Sequence, residues 1–408
     1  MSDDRSQRRD SPEGRRHIRV LYCILDNRVG GPHRLAETMA RRLRCYGAET
    51  LFLFGQKTDD LWRPDGFESF PCKHIQCFTR RHPVLNFLRF CCVLPYNLCR
   101  IRRMLKSRHI EVVHVDGVTN FVPALAARWA GVPIVWHYND YLPGPLKRVL
   151  VPLVTRLSAT VIVQGEGLRE SRTAGNDRLR AKTRVLYSAV DTDRLVPQDN
   201  NKAQRDRIRA ELGVPADCLL IGSVGNANQF KGYTYFLEAA AKIKEQVARA
   251  RFIVVGRKLD TDTAYWDHLQ QLTARLELQE SVLFAGFRED IPRVLSALDV
   301  FVLASILESC PVALLEAMAM KVPVVATRVG AVEEMVDNGR TGFVVPPRDP
   351  EAIARAVLSI LKGPQEQVRN MVEQARKTVE ERFGVKTIAG EQWRVYEKIC
   401  HSPLRHAP

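Results

Sequence analysis

Two carboxylates and one ammonium group carry the chemistry that is most readable in this chain. Glu308 and Glu316, with seven residues between them, lie in Ala304-Ser305-Ile306-Leu307-Glu308-Ser309-Cys310-Pro311 and the apolar pattern Val312 to Met320 that follows. The β-branched run Val300 to Leu303 reads as a strand. Pro311 suits the first turn of the next helix, because its missing N–H would have no partner there. That helix opens with free backbone N–H groups and the positive end of its dipole, an arrangement suited to a diphosphate. Ser309, Cys310, Pro311 and Val312 are therefore candidate binding residues. Glu308, in the loop, and Glu316, inside the helix, can each accept hydrogen bonds from hydroxyl groups. The plain alternative makes Glu316 the one solvated position of an amphipathic helix.

Lys231 closes a second such turn. Gly222-Ser-Val-Gly225-Asn226-Ala-Asn-Gln-Phe-Lys231-Gly232 ends one apolar run and starts the helical pattern Tyr233 to Val247. Glycine lets the backbone come close to a phosphate, lysine adds a point charge, and Asn226 can donate a neutral hydrogen bond. A merely solvated lysine at a helix start would give the same spacing. In the first half, Gly30 and Gly31 follow the run Ile18 to Leu25, but they do not form G-x-G-x-x-G, so a nicotinamide fingerprint is missing. His137 ends the run Pro133 to His137, with Asp140 close enough in sequence to orient its ring. The pairs Asp191/Asp193 and Asp260/Asp262 lie outside any glycine-bearing turn and read as loop caps, so no metal is expected.

The elements that must hold these residues alternate from end to end. Short β-branched runs separated by helical patterns predict an α/β protein with parallel sheets covered on both faces, about six strands in each half. The first-half runs are Ile18 to Leu25, Thr50 to Phe54, Val112 to Val115, Pro133 to His137, Thr160 to Gln164 and Arg184 to Tyr187. The second-half runs are Cys218 to Val224, Arg251 to Val255, Val282 to Ala285, Val300 to Leu303, Val322 to Thr327 and Gly342 to Val345. Asp191 to Ala203 is polar and is the predicted linker. The expected organisation is a disordered leader at 1–16, a first doubly wound domain at 17–195, a second at 204–385, and a helix at 386–408 that packs back on the first.

Composition narrows the classes further. With 408 residues, 45% hydrophobic and 26% charged, the chain is neither disordered nor a small module. Residues 1–195 hold 33 basic and 19 acidic side chains, whereas 196–408 hold 28 and 27, so the net charge of +15 resides almost wholly in the first half. The ten cysteines include no C-x-x-C pair, and no apolar run approaches the ~18 residues of a membrane span; both point to the cytoplasm. Lys73 to Ile110 carries nine Lys/Arg and no Asp or Glu among apolar residues. It fits an interfacial anchor for an anionic membrane surface, or equally an ordinary helix with its apolar side on the sheet. Aromatic interleaving for nucleic acid is absent.

The second-half motifs together resemble a known family. Glu308-Ser-Cys-Pro-Val-Ala-Leu-Leu-Glu316, then Pro323-Val-Val-Ala-Thr327, Val329-Gly330-Ala331-Val332-Glu333-Glu334 and Gly342-Phe-Val-Val-Pro-Pro347, are similar to the C-terminal signature of group 1 (family 4) retaining glycosyltransferases. The resemblance implies the GT-B fold, two facing Rossmann-like domains with a cleft, and transfer of a sugar from a nucleotide diphosphate donor to a hydroxyl of a glycolipid or polysaccharide intermediate. It implies that Glu308 binds donor-sugar hydroxyls, Glu316 the ribose, and Lys231 the diphosphate. It places Glu334 after the glycine loop at Gly330, Gly30 and Gly31 in the N-terminal glycine loop, and His137 beside the donor sugar. No metal or other cofactor is implied. Asn226 stands where the family usually has an arginine, and Ser188-Ala189 where it has Asn-Gly. These departures support a second expectation, a scaffold of the same fold that has lost catalysis and serves in assembly. Arg257 is a candidate to replace the missing arginine.

Overall fold

The computed structural model describes residues 17–25, 30–55, 64–72, 83–142, 144–197, 202–259 and 262–401. The 1–16 leader, Asp26 to Val29 and Lys73 to His82 lie outside the described residues. The chain divides into two compact units. The first comprises residues 1–163, 169–186 and 385–408; the second comprises 164–168 and 187–384. The division at Leu186/Tyr187 falls a few residues ahead of the polar stretch Asp191 to Ala203, and Arg376 holds that stretch through the carbonyls of Leu195 and Thr192.

The first unit is built on seven parallel strands, β1 (Ile18–Ile24), β2 (Ala48–Gly55), β3 (Ser69–Cys72), β4 (Val112–Asp116), β5 (Ile134–His137), β6 (Thr160–Val163) and β7 (Thr183–Val185), in the order β3-β2-β1-β4-β5-β6-β7. Their unbroken apolar character follows from burial on both faces, with Leu21, Phe52, Val113 and Val135 almost fully buried. β3 corrects the expectation of six strands. It is an edge strand of sequence Ser-Phe-Pro-Cys, pairing Phe52 with Ser69 and Gly55 with Cys72. Pro71 removes a ladder donor, which an edge tolerates and which hid the strand in the sequence. The final helix, Val385–His401, belongs to this unit, where it packs on the helix Gly31–Leu43 and stacks Trp393 on Tyr46.

The second unit has the expected six parallel strands, β8 (Leu219–Val224), β9 (Ala250–Val255), β10 (Val282–Gly286), β11 (Val300–Leu303), β12 (Val324–Thr327) and β13 (Phe343–Val345), in the order β10-β9-β8-β11-β12-β13. Phe252, Phe301, Phe236 and Tyr233 fill its core. Strand order reverses between β8 and β11, and in doubly wound sheets the loops at such a reversal diverge and leave a ligand-sized crevice at the carboxyl ends of the strands.

Candidate active site

Lys231 and Glu308 meet at that reversal. Val224 ends β8, and the chain then makes a loop whose last turn, Gln229–Lys231, is fixed by the Asn228 side chain accepting from Phe230 N at 2.9 Å. Gly232 follows with φ 65°, the left-handed conformation glycine allows, and the helix Tyr233–Gln246 begins. A side chain at Gly232 would also strike the backbone, since its Cβ would lie 2.0 Å from Ala304 O. The β8 and β11 loops thus touch at Gly232 and Ala304 before they diverge, and Ile306 N donates to Phe230 O at 2.8 Å. This contact sets Lys231 Nζ 2.7 Å from Glu308 Oε1, an oxygen that also accepts from Ser305 Oγ at 2.7 Å. Both charged side chains are mostly shielded, 25% and 14% exposed. The ion pair holds the ammonium at the switch point and offsets the carboxylate that a second anion would otherwise meet there.

A third loop supports Glu308 from behind. Gly330, after β12, has φ 54°, and a Cβ there would lie 2.4 Å from both Glu308 O and Ser309 O. Ala331 N donates to Ser309 O at 2.8 Å, and Thr327 Oγ1 donates to Ser305 O. The helix Val312–Ala319 opens after Pro311, an N-cap residue that supplies no side-chain cap hydrogen bond. Val312, Ala313 and Glu316 form its half-buried face, while Leu314, Leu315, Ala317, Met318 and Ala319 are buried. Glu316 therefore lies one turn below the uncapped N-terminus on the same face, a placement compatible with both readings made from the sequence.

Other candidates are engaged elsewhere. Asn226 Oδ1 accepts from Arg257 N at 3.1 Å and so fastens the β8 loop to the β9 loop. The Arg257 guanidinium lies 3.9 Å over the Phe287 ring, a cation–π contact. Glu334 accepts from Glu166 N at 2.8 Å, Gly167 N at 3.2 Å and Tyr187 Oη at 2.7 Å, which places its charge at the N-terminus of the helix Glu166–Thr173. Burial, followed by Glu334, pushes the Tyr187 hydroxyl above its ordinary range. Cys310 is buried and its thiol is pushed up to about 11 by burial, so it is no thiolate nucleophile near neutrality. Ser188 N donates to Cys310 Sγ at 3.3 Å and Ser188 Oγ donates to Cys310 O at 3.1 Å. Ser305, Tyr187 and Ser188 were given no role from the sequence. Only Ser305 had a local signal, three residues before Glu308 at the strand end.

In the first unit, Gly30 O accepts from His33 N and Arg34 N at the start of the helix Gly31–Leu43, and a Cβ at Gly31 would meet nothing within 4 Å. His137 ends β5 and is buried. The carboxylate beside it is Asp116, 3.8 Å from Nδ1. Asp140 accepts from Val118 N in the loop after β4. Burial pulls the His137 imidazole down to about 4. Among the described residues no group of three His, Cys, Asp or Glu is placed to hold a metal ion.

The second unit is thus a doubly wound α/β domain with a cation–carboxylate cluster at its strand-order reversal. The comparisons make this specific. The family model described as Glycosyl transferases group 1 matches residues 204–378, and that described as Glycosyltransferase Family 4 matches 29–194. The D-inositol 3-phosphate glycosyltransferase of Streptomyces scabiei (strain 87.22) is 30% identical over 344 residues, 77% of this chain and 75% of its own length. The UDP-Gal:alpha-D-GlcNAc-diphosphoundecaprenol alpha-1,3-galactosyltransferase of Escherichia coli is 27% identical over 277 residues, 65% of this chain and 70% of its own. Anabaena Alr3699/HepE, solved in complex with UDP-glucose, superposes with a TM-score of 0.79 at 22% identity over 94% of this chain and 100% of that one. The chain belongs to the group 1 glycosyltransferases and has the GT-B fold.

Proposed function

We propose that the protein transfers a sugar from a nucleoside diphosphate donor to a hydroxyl of a glycan or lipid-linked intermediate, with retention of anomeric configuration and without a metal ion. The observation that carries the reading is the Lys231–Glu308–Ser305 cluster at the reversal of the second sheet. Two of the similar proteins add support, one by its complex with UDP-glucose and the other by the diphosphoundecaprenol acceptor in its name.

In this reading the bond from the anomeric carbon to the donor's phosphate oxygen breaks, and its electron pair goes to the departing diphosphate. The acceptor hydroxyl attacks from the same face, and its proton passes to that phosphate oxygen. Negative charge grows on the diphosphate, so Lys231 and the N–H groups of the helix Val312–Ala319 stabilise the transition state more than the bound donor. Glu308 holds sugar hydroxyls, Glu316 the ribose, and His137 contacts the transferred sugar.

A melting-temperature screen of UDP-, GDP-, TDP- and ADP-sugars tests the donor class. A matching donor at about 100 times its Kd adds about 2.7 kcal/mol, a rise of about 5 °C or more for domains of this size. Transfer to a lipid-linked acceptor then gives product of unchanged anomeric configuration, with equal rates in EDTA. No shift with any donor, an inverted product, or loss of rate in EDTA contradicts the proposal. Binding with neither transfer nor hydrolysis assigns the inactive scaffold instead.

The acceptor side has its own candidate surface. The helix Pro83–Ser107 buries Ile101 and Leu105 but leaves Leu85, Phe87, Leu88 and Tyr96 exposed, 46–56% each, beside Arg89, Arg103 and Lys106 and no acidic residue. No helix among the described residues is long and apolar enough to cross a membrane. We propose that this face docks on an anionic membrane. The Leu85→Ser/Leu88→Ser/Arg103→Glu/Lys106→Glu variant then loses co-sedimentation with phosphatidylglycerol vesicles, and undiminished co-sedimentation sinks the docking reading.

A further inference from the structure

The first unit contains a buried chain of polar groups that the donor chemistry above leaves unused. His114, on β4, is fully buried, with Nδ1 2.6 Å from the hydroxyl of Tyr396 on the helix Val385–His401, 282 residues away in sequence. Gln392, one turn earlier on that helix, donates its amide to the same hydroxyl oxygen at 2.5 Å. An oxygen that accepts from Gln392 has its own proton to give, and donating it to His114 Nδ1 leaves the His114 proton on Nε2, an atom also buried with no protein partner among the described residues. The ring is clamped as well as oriented. Tyr22 of β1 stacks on it with centroids 4.5 Å apart, and His137 of β5 meets it at 79° and 4.7 Å. The Tyr22 hydroxyl is in turn bonded to Asp116, the carboxylate toward which His137 Nδ1 is turned.

We propose that Tyr396 is a positioning residue for His137. By fixing the proton and the rotation of His114, it sets the wall on which the His137 ring packs, with Nδ1 toward Asp116 and Nε2 as the atom that accepts a hydrogen bond from a hydroxyl of the transferred sugar. The inference rests on the sugar contact assigned to His137 under Proposed function. His137 Nε2 is buried and has no protein partner among the described residues. Burial keeps His137 neutral, and burial together with the adjacent His137 does the same for His114, so both rings are neutral near pH 7. The groups facing the pair are Tyr22, Asp116 and Tyr396.

The test uses the full chain with 15N-labelled histidine, compared with Tyr396→Phe and Gln392→Leu by long-range 1H–15N spectra from pH 5 to 8. His114→Gln and His137→Gln assign the signals. In the wild type, His114 is the Nε2–H tautomer and neither ring titrates in this range. In Tyr396→Phe, Nδ1 loses its donor, and the ring can turn a lone pair toward His137 and favour its protonated form. His137 then shows a titration midpoint inside this range, at least one pH unit above the wild-type ring and so at least a tenfold change in its acid dissociation constant. Gln392→Leu moves it in the same direction by less. Identical His137 shifts and titration in the wild type and Tyr396→Phe overturn the proposal, as does a change in melting temperature alone. If His137→Ala leaves sugar transfer unchanged, the sugar-contact reading fails, while the spectra still decide whether Tyr396 positions the ring.

Discussion

Lys231→Ala lowers kcat/KM for the stabilising nucleotide sugar by about 10²–10³-fold, with most of the loss in kcat. The lysine sits at the end of a short turn held by Asn228 and by the Phe230–Ile306 backbone bond, neither of which uses its ammonium group. The backbone around it therefore survives the substitution. Charge that appears on a departing diphosphate is lost from view to the protein, leaving only the N–H groups of the helix after Pro311. Glu308 loses its countercharge but keeps Ser305 Oγ at 2.7 Å, so the melting temperature falls by only a few degrees. Lys231→Arg restores charge with a planar fork in place of a compact ammonium, and recovers only part of the rate. Steady-state kinetics checks this, and a fall of less than threefold in Lys231→Ala would remove the lysine from the transition state.

Gly330→Ala produces a comparable loss by another route. The added Cβ lies 2.4 Å from Glu308 O and Ser309 O, and both obstacles are backbone, which cannot swing aside like a side-chain tip. Left-handed φ costs a non-glycine residue roughly 1–2 kcal/mol, which lowers the melting temperature by about 5 °C. The loop relieves the clash by carrying Glu308 away from Lys231, and displacement of a positioning group by about 1 Å is enough for a 10²-fold loss of rate. Gly144→Ala, where the methyl meets nothing within 4 Å, serves as the control and keeps wild-type kinetics. A Gly330→Ala enzyme with wild-type kcat/KM would show that the geometry around Glu308 is not what the rate depends on.

How much of this was legible in the sequence follows from the range of the interactions. Parallel strands buried on both faces write themselves as continuous β-branched runs, which is why Val300–Leu303 read correctly to the residue. The edge strand Ser69–Cys72 has one neighbour, a proline and half-buried side chains, so nothing in its pattern separates it from a loop. Lys231 and Glu308 each announced themselves by a strand-to-helix turn, but their 2.7 Å contact spans 77 residues and no spacing encodes it. Asp116 rather than Asp140 beside His137 is a matter of parallel register, Asp116 pairing with His137 across β4 and β5. Sequence proximity pointed to Asp140 alone. Tyr396 lay beyond any local reading, because the final helix reaches its partner on the first sheet only after the whole second unit has been made.

The most direct measurement is a crystal structure of the protein soaked separately with UDP and GDP. The account predicts that one of the two binds with its diphosphate oxygens within about 3 Å of Lys231 Nζ and of the N–H groups of Val312 and Ala313, and its ribose at Glu316. A nucleoside diphosphate ordered elsewhere on the second unit, with the Lys231–Glu308 pair untouched, would contradict it.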